Sequence, residues 1–306
     1  MPKIGQISLK KAGKEKDKGM AQIVKGIDVA KSIREKLQER IKALAEKNVA
    51  AKLVILGVGD DPANASYERG IMKVCGELGI TVEKVVLDPA INQEGFNARF
   101  TEINEDASVS GILVFRPLPK PLDITFAANT INPVKDIDCI SPVNQAKLVM
   151  GTTDGYYPCT AEAVLSFLEY ENMDLAYKNV VIIGRSLVVG RPLVSMLIAR
   201  NATVTCCHTK TADITDRISN ADVVVCAAGK AGLLTADMMK NAKPECFVID
   251  VGINMKPDGS GICGDVDFDG VEAVAGKITK VPGGVGSVTS TILAQHVVRA
   301  AETLNE

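Results

Sequence analysis

Gly184, Ser186 and Gly190 stand in the stretch Asn179 to Pro192 with the spacing Gly-x-Ser-x-x-x-Gly, an arrangement able to hold an anion. Four β-branched residues, Val180 to Ile183, precede Gly184 and read as a strand buried on both faces, as in a parallel sheet. Gly190 opens a helix with Pro192 in its first turn, where a missing N–H costs nothing. Strand, glycine turn and helix N-terminus together cradle a nucleotide pyrophosphate. The pattern departs from Gly-x-Gly-x-x-Gly, and apolar strands followed by glycine are common, so the motif alone does not decide.

In an open parallel sheet, ligands bind beyond the carboxyl ends of the strands. Polar clusters fall at four such ends: Gly184-Arg185-Ser186, His208-Thr209-Lys210-Thr211, Ala228-Gly229-Lys230 and Val251-Gly252-Ile253-Asn254. Ser186 and the turn amides suit phosphate oxygens, while Arg185 and Thr209 suit a ribose 2′-phosphate. An NAD site usually places an acidic residue after the second strand, and none stands between Thr203 and Ala212. Without a ligand, Arg185 and Lys210 are solvated surface charges. His208 reads as a polar strand-end residue rather than a base.

These clusters need a scaffold, and 306 residues suffice for two domains. Hydrophobic content of 46% with 24% charge describes an ordinary globular chain. A net charge of −2 argues against nucleic acid or an anionic membrane as partner. No apolar run reaches the roughly 18 residues that cross a bilayer. Eight scattered cysteines without a Cys-x-x-Cys pair, and only two histidines, read as buried thiols in a reducing cytoplasm with no metal site.

Residues 1–21 read as a flexible basic extension, rich in lysine and lacking a secretory apolar core; Met20 is an alternative start. Asp28 to Lys47 has the spacing of an amphipathic helix, with Asp28 as cap. Strands at 52–58, 81–87 and 111–115 alternate with helices at 64–78 and 93–104, which implies right-handed βαβ units on a mostly parallel sheet. Past a proline-rich loop, a helix at 160–169 leads to strands at 180–183, 202–207, 222–227 and 246–251. That makes a four-strand, Rossmann-like nucleotide-binding half. A last helix, about 289–304, follows Val281-Pro282-Gly283-Gly284-Val285-Gly286 and folds back on the first domain. The fold class is α/β.

The motifs occur in an order and spacing that resemble the methylenetetrahydrofolate dehydrogenase/cyclohydrolase family (FolD). They are Gly184-Arg185-Ser186 with Val189-Gly190 and Pro192, Ile249 to Asn254, Gly264-Asp265-Val266 and Val281 to Gly286. In the first half they are Pro62-Ala63 with Tyr67, Gly111 to Val114, Pro117-Leu118-Pro119, Lys135 to Asp138 and Pro158-Cys159-Thr160. The resemblance implies two domains around a cleft. Residues 22–150 with 288–306 would bind folate, and residues 151–287 would bind NADP, or NAD as the alternative. It also implies a homodimer through the nucleotide domains. Tyr67 would stack on the aminobenzoyl ring and Asp138 would bind the pterin edge. Val114, Phe115, Arg116 and Pro282 to Gly286 would line the folate site. Gly184, Arg185, Ser186, Gly190, Thr209, Gly229, Gly252 and Ile253 would hold the nucleotide.

The departures bear on mechanism. The family pattern is Tyr-x-x-x-Lys, and that lysine serves the cyclohydrolase step; here Ile71 stands four residues after Tyr67. Phe115 replaces the family glutamine, and Ser287 a proline. On a helix Lys73 and Arg69 point away from Ile71; on a strand Arg116 would alternate to the face opposite Phe115, but the following Pro117 leaves its direction open. Oxidising 5,10-methylenetetrahydrofolate needs no general base, whereas hydrolysing the methenyl product does. The expectation is a dehydrogenase with cyclohydrolase activity weak or absent. The alternatives are a bifunctional enzyme, with Arg116 or water in the lysine's role, and a folate-binding relative without turnover.

Overall fold

The computed structural model describes residues 20–60, 64–256 and 258–306. Residues 1–19 of the expected extension, and Pro62 and Ala63 of the first-half motif, lie outside the described residues. The described chain starts with a short strand, β1 (Gln22–Ile23), and a helix, α1 (Gly26–Glu46), which buries Val29, Leu37 and Leu44. Asp28, expected as the cap, sits inside the first turn, and the Lys25 side chain at the cap position makes no capping bond. The helix start is instead held by the Gly26 N–H, which donates to Gly283 O at 2.8 Å.

β2 (Lys52–Val58), α2 (Ala65–Leu78), β3 (Thr81–Leu87), α3 (Gln93–Glu105) and β4 (Gly111–Val114) follow in alternation. The strands form a parallel sheet in the order β3-β2-β4, with Leu53 opposite both Val82 and Gly111. Gly79 ends α2 in a left-handed conformation, and the Asn92 side chain caps α3 by accepting from Gly95 N. One sheet face, with Leu53 and Ile55, joins a core that includes Ile71. The other, with Val54, Leu56 and Val114, packs on Phe96 and Phe100 of α3. β4 stops before Phe115, because the chain enters the segment carrying Pro117, Pro119 and Pro121. Two short helices missed by periodicity come next, α4 (Thr125–Thr130) and α5 (Pro142–Met150), then α6 (Cys159–Tyr170).

The second unit runs β5 (Asn179–Ile183), α7 (Gly190–Ile198), β6 (Thr203–Cys207), α8 (Ile214–Ile218), β7 (Val223–Cys226), α9 (Ala236–Met239) and β8 (Phe247–Asp250). An antiparallel pair, β9 (Asn254–Met255) and β10 (Ile262–Cys263), then α10 (Phe268–Glu272) and β11 (Lys277–Ile278) complete it. The sheet has six strands in the order β1-β11-β8-β7-β5-β6, not four. The two extra strands are two residues each, too short to show a period. β1 is the edge strand of this sheet, paired with β11. Gln22 N and Val24 N donate to Gly276 O and Ile278 O, at 3.0 and 2.9 Å, so this segment belongs to the larger sheet. The last helix, α11 (Gly286–Thr303), starts before the expected residue 289 and packs against α1, α2 and α6, returning to the first domain. None of the helices among the described residues is long and apolar enough to cross a membrane.

Candidate active site

A cleft of about 580 Å³ lies between the two units, lined by Tyr67 and Gly70 of α2, Asp138, Pro158, Thr160, the end of β8 and residues 281–287. Tyr67 reaches it from the first turns of α2. Ile71, one turn later, is fully buried in the core, and the α2 lining stops at Gly70. Phe115 is no wall of this cleft. It lies 6.5 Å from the Tyr67 ring, centroid to centroid, and lines a separate cavity of about 350 Å³ with Gly57, Asn64 and Lys84. Val114, expected at the substrate, is buried in the layer under α3, because on a strand it alternates with Leu113.

Arg116, whose direction Pro117 left open, turns to Asp138. β4 has ended at Val114, so strand alternation no longer sets its direction, and Nη2 donates to Asp138 Oδ2 at 2.9 Å. Asp138 Oδ1 accepts the Cys159 backbone N–H at 3.3 Å. Burial pushes the Asp138 carboxyl above the usual carboxylate range, against the pull of Arg116 and the Cys159 N–H. Burial also holds the Tyr67 phenol well above its ordinary range, so it is a neutral hydroxyl at physiological pH.

On the nucleotide side, Gly184 has φ +133° and a Cβ there would run into Ala227 O; a Cβ at Gly190 would run into Gly184 O. Only glycines let β5 turn so tightly into α7. Ser186 Oγ accepts the Val189 N–H at 3.1 Å and the Gly190 N–H at 3.5 Å, which ties the turn to the start of α7. Arg185, Leu187 and Val188 lie exposed along the turn. Thr209 is exposed beyond β6, where His208 Nδ1 accepts the Lys210 N–H at 3.2 Å, which turns the ring back on its own loop. The N–H of Gly229, a residue expected to hold the nucleotide, donates to Asp265 Oδ2 at 2.9 Å.

Gly252 and Ile253 line the cleft, as do Pro282, Gly283, Gly284, Val285 and Gly286. Val188 and Ile253 are 45% and 66% exposed, and such apolar surface inside a cleft suits a flat ring. The glycine turn, the exposed Arg185 and this apolar wall together fit a dinucleotide. Asp250 was not foreseen. Its carboxylate accepts from Gly252, Asp265 and Val266 N–H groups at 3.0, 2.9 and 3.1 Å, while burial pushes it up to about 6. Both oxygens are thus committed to organising the loop. Thr160 and Thr289 were also missed as lining; for Thr289 the signal was the Thr289-Ser290-Thr291 run near the start of α11.

Residues 24–138 match the family model described as tetrahydrofolate dehydrogenase/cyclohydrolase, catalytic domain, and residues 158–305 its NAD(P)-binding domain. A Clostridium botulinum protein named "Bifunctional protein FolD" is 45% identical over 283 residues, covering 92% of this chain and 99% of that protein. A crystal structure of a bifunctional FolD methylenetetrahydrofolate dehydrogenase/cyclohydrolase from Campylobacter jejuni superposes with TM-score 0.88 at 37% identity, covering 92% and 99%. The Trypanosoma brucei dehydrogenase-cyclohydrolase, complexed with NADP and an inhibitor, gives 0.86 at 32% identity over 93% and 98%.

Proposed function

The chain belongs to the tetrahydrofolate dehydrogenase/cyclohydrolase family, and on that footing we propose that it oxidises 5,10-methylenetetrahydrofolate to the methenyl form with NADP, NAD being the alternative. The carrying observation is one cleft with Tyr67 and Asp138 on one wall and Gly252, Ile253 and Pro282 to Gly286 on the other. When bound, the nicotinamide supplies the hydride acceptor. Gly184, Arg185, Ser186, Gly190 and Thr209 hold its nucleotide, with Arg185 on a 2′-phosphate. Tyr67 offers a neutral ring face to the aminobenzoyl group, and Asp138 accepts the N–H groups of the pterin edge. Hydride leaves a carbon between two nitrogens whose lone pairs stabilise the cation, so the protein's work is positioning and no base is needed.

Hydrolysis of the methenyl product is different, because the attacking water must lose a proton. Ile71 and Phe115 favour a dehydrogenase with weak or absent cyclohydrolase activity. The names of the relatives favour a bifunctional enzyme, which is the better supported reading, and the pairing of Arg116 with Asp138 adds a cation whose direction the sequence left open. Arginine stabilises an attacking hydroxide but takes no proton. The second step therefore lacks a general-base contribution of roughly 100- to 10,000-fold and is the slow one.

One assay tests this. With methylenetetrahydrofolate and either nucleotide, methenyl absorbance should rise and then decay faster than in buffer. No methenyl with either nucleotide overturns the dehydrogenase. Decay at the buffer rate overturns the hydrolytic step and leaves a dehydrogenase alone. A homodimer through the nucleotide-binding unit and a cytoplasmic location belong to the same proposal, and sedimentation tests the first.

A further inference from the structure

The buried His296 and the half-buried Glu162 are side chains to which the proposed reaction gives no task. His296, on α11, is 1% exposed; its Nδ1 faces Ile137 O at 2.7 Å and its Nε2 faces Glu162 Oε2 at 2.9 Å. A backbone carbonyl only accepts, so Nδ1 carries a hydrogen. Glu162 Oε1 accepts from the Gln295 amide at 3.4 Å, so both carboxylate oxygens meet donors. Burial raises the Glu162 carboxyl, but His296, Arg299 and Arg200 outweigh it and hold it below the usual range. An ionised carboxylate facing Nε2 favours a hydrogen there too, so both ring nitrogens point at acceptors.

The other groups around the ring leave this assignment intact. The Cys159 thiol lies 3.8 Å from Nδ1, and the Tyr156 ring stands edge-on at 5.3 Å with the Arg299 guanidinium over its face. Asp136, on the Ile137 loop, is satisfied by the N–H groups of Ile140 and Ser141 and by the Asn144 amide. Ile137 precedes Asp138, and Cys159 secures the same point. Its thiol donates to Ile137 O at 3.4 Å and its N–H to Asp138 Oδ1 at 3.3 Å.

We propose that the His296–Glu162 ion pair is a positioning device for Asp138, the doubly protonated ring clamping the Ile137 carbonyl and thereby setting the peptide from which the Asp138 carboxylate faces the cleft. This rests on the reading that Asp138 binds the folate substrate. The chain has only two imidazoles, His208 and His296. In full-length protein labelled with 15N-histidine, His296→Asn assigns the two rings. The wild-type His296 ring is expected to carry hydrogens on both nitrogens at neutral pH. Glu162→Gln should remove one of them and raise the KM for methylenetetrahydrofolate about tenfold, the size of one charge-assisted hydrogen bond, with the nucleotide KM unmoved. Glu162→Asp, which keeps the charge, should restore the protonated ring.

A wild-type ring with one hydrogen at neutral pH overturns the proposal. So does Glu162→Gln with an unchanged folate KM, or with both KM values rising together, as general loosening would give. If the wild-type protein binds no folate, the proposed function itself falls and the positioning role with it, while the NMR spectrum still reports the ring.

Discussion

Arg116 Nη2 lies 2.9 Å from Asp138 Oδ2, so a carboxylate that lines the cleft has a guanidinium partner from its own chain. The pair is partly exposed, with side chains 33% and 21% accessible, so its strength rests on geometry as much as on charge.

Replacing Arg116 by leucine should leave burial to act on Asp138 unopposed. The carboxyl, already above its usual range, then rises further, and the acid limb of kcat/KM for folate oxidation moves to higher pH. At neutral pH the loss should be about tenfold. Initial rates across the pH range check the shift, and superimposable profiles would refute it.

Ile71→Lys puts a charge at a fully buried core position. Unfolding in urea should show a loss of about 2–5 kcal/mol. Position 71 lies one helical turn from Tyr67, so a long side chain can climb toward the cleft, and methenyl decay should quicken by roughly 100-fold. A destabilised variant with an unchanged decay rate would show that the position no longer reaches the reaction.

Gly190→Ala adds a Cβ that meets Gly184 O and the Arg185 Cα. The turn must open, at a cost of about 1–3 kcal/mol in stability. Equilibrium titration should find nucleotide binding weakened at least about tenfold, with folate binding retained.

Arg185→Ala should raise the KM for NADP about tenfold, the loss of one charge-assisted contact, and leave that for NAD unchanged. Equal effects on both coenzymes would remove the 2′-phosphate from Arg185.

Asp250 predicts a stability profile. Its folded carboxyl sits at about 6, above the ordinary value of 3.8, so the folded chain binds the proton more tightly. Its favourable contribution is therefore complete at acid pH below 3.8 and is lost as pH rises through about 6. Urea midpoints should fall over that window by the equivalent of about 2–3 kcal/mol, and Asp250→Asn should flatten this part of the curve.

The strands at 52–58 and 81–87 were legible to the residue, because Gly59-Asp60 closes the first, while Gly79 precedes and Asp88-Pro89 follows the second. β1 and β11, with two residues each, carry no period and exist only because the larger sheet offers them an edge. Of the residues expected at the folate site, Tyr67, Asp138 and the 281–286 loop line one cleft. Ile71, Val114 and Phe115 were given the wrong surroundings. Their places depend on how α11 docks on α2 and on where β4 stops, and neither follows from spacing.

By itself the sequence determined the alternation of strand and helix, the glycine turn at 184–190 and the family to which these motifs belong. Those are local properties of period, breakers and order along the chain. Tertiary structure alone decided which side chains meet: Arg116 with Asp138 across 22 residues, and His296 with Glu162 across 134. Side-chain direction beyond a strand end follows the loop backbone rather than a period. A largely desolvated His–Glu contact forms only where packed helices bring its two halves into one space.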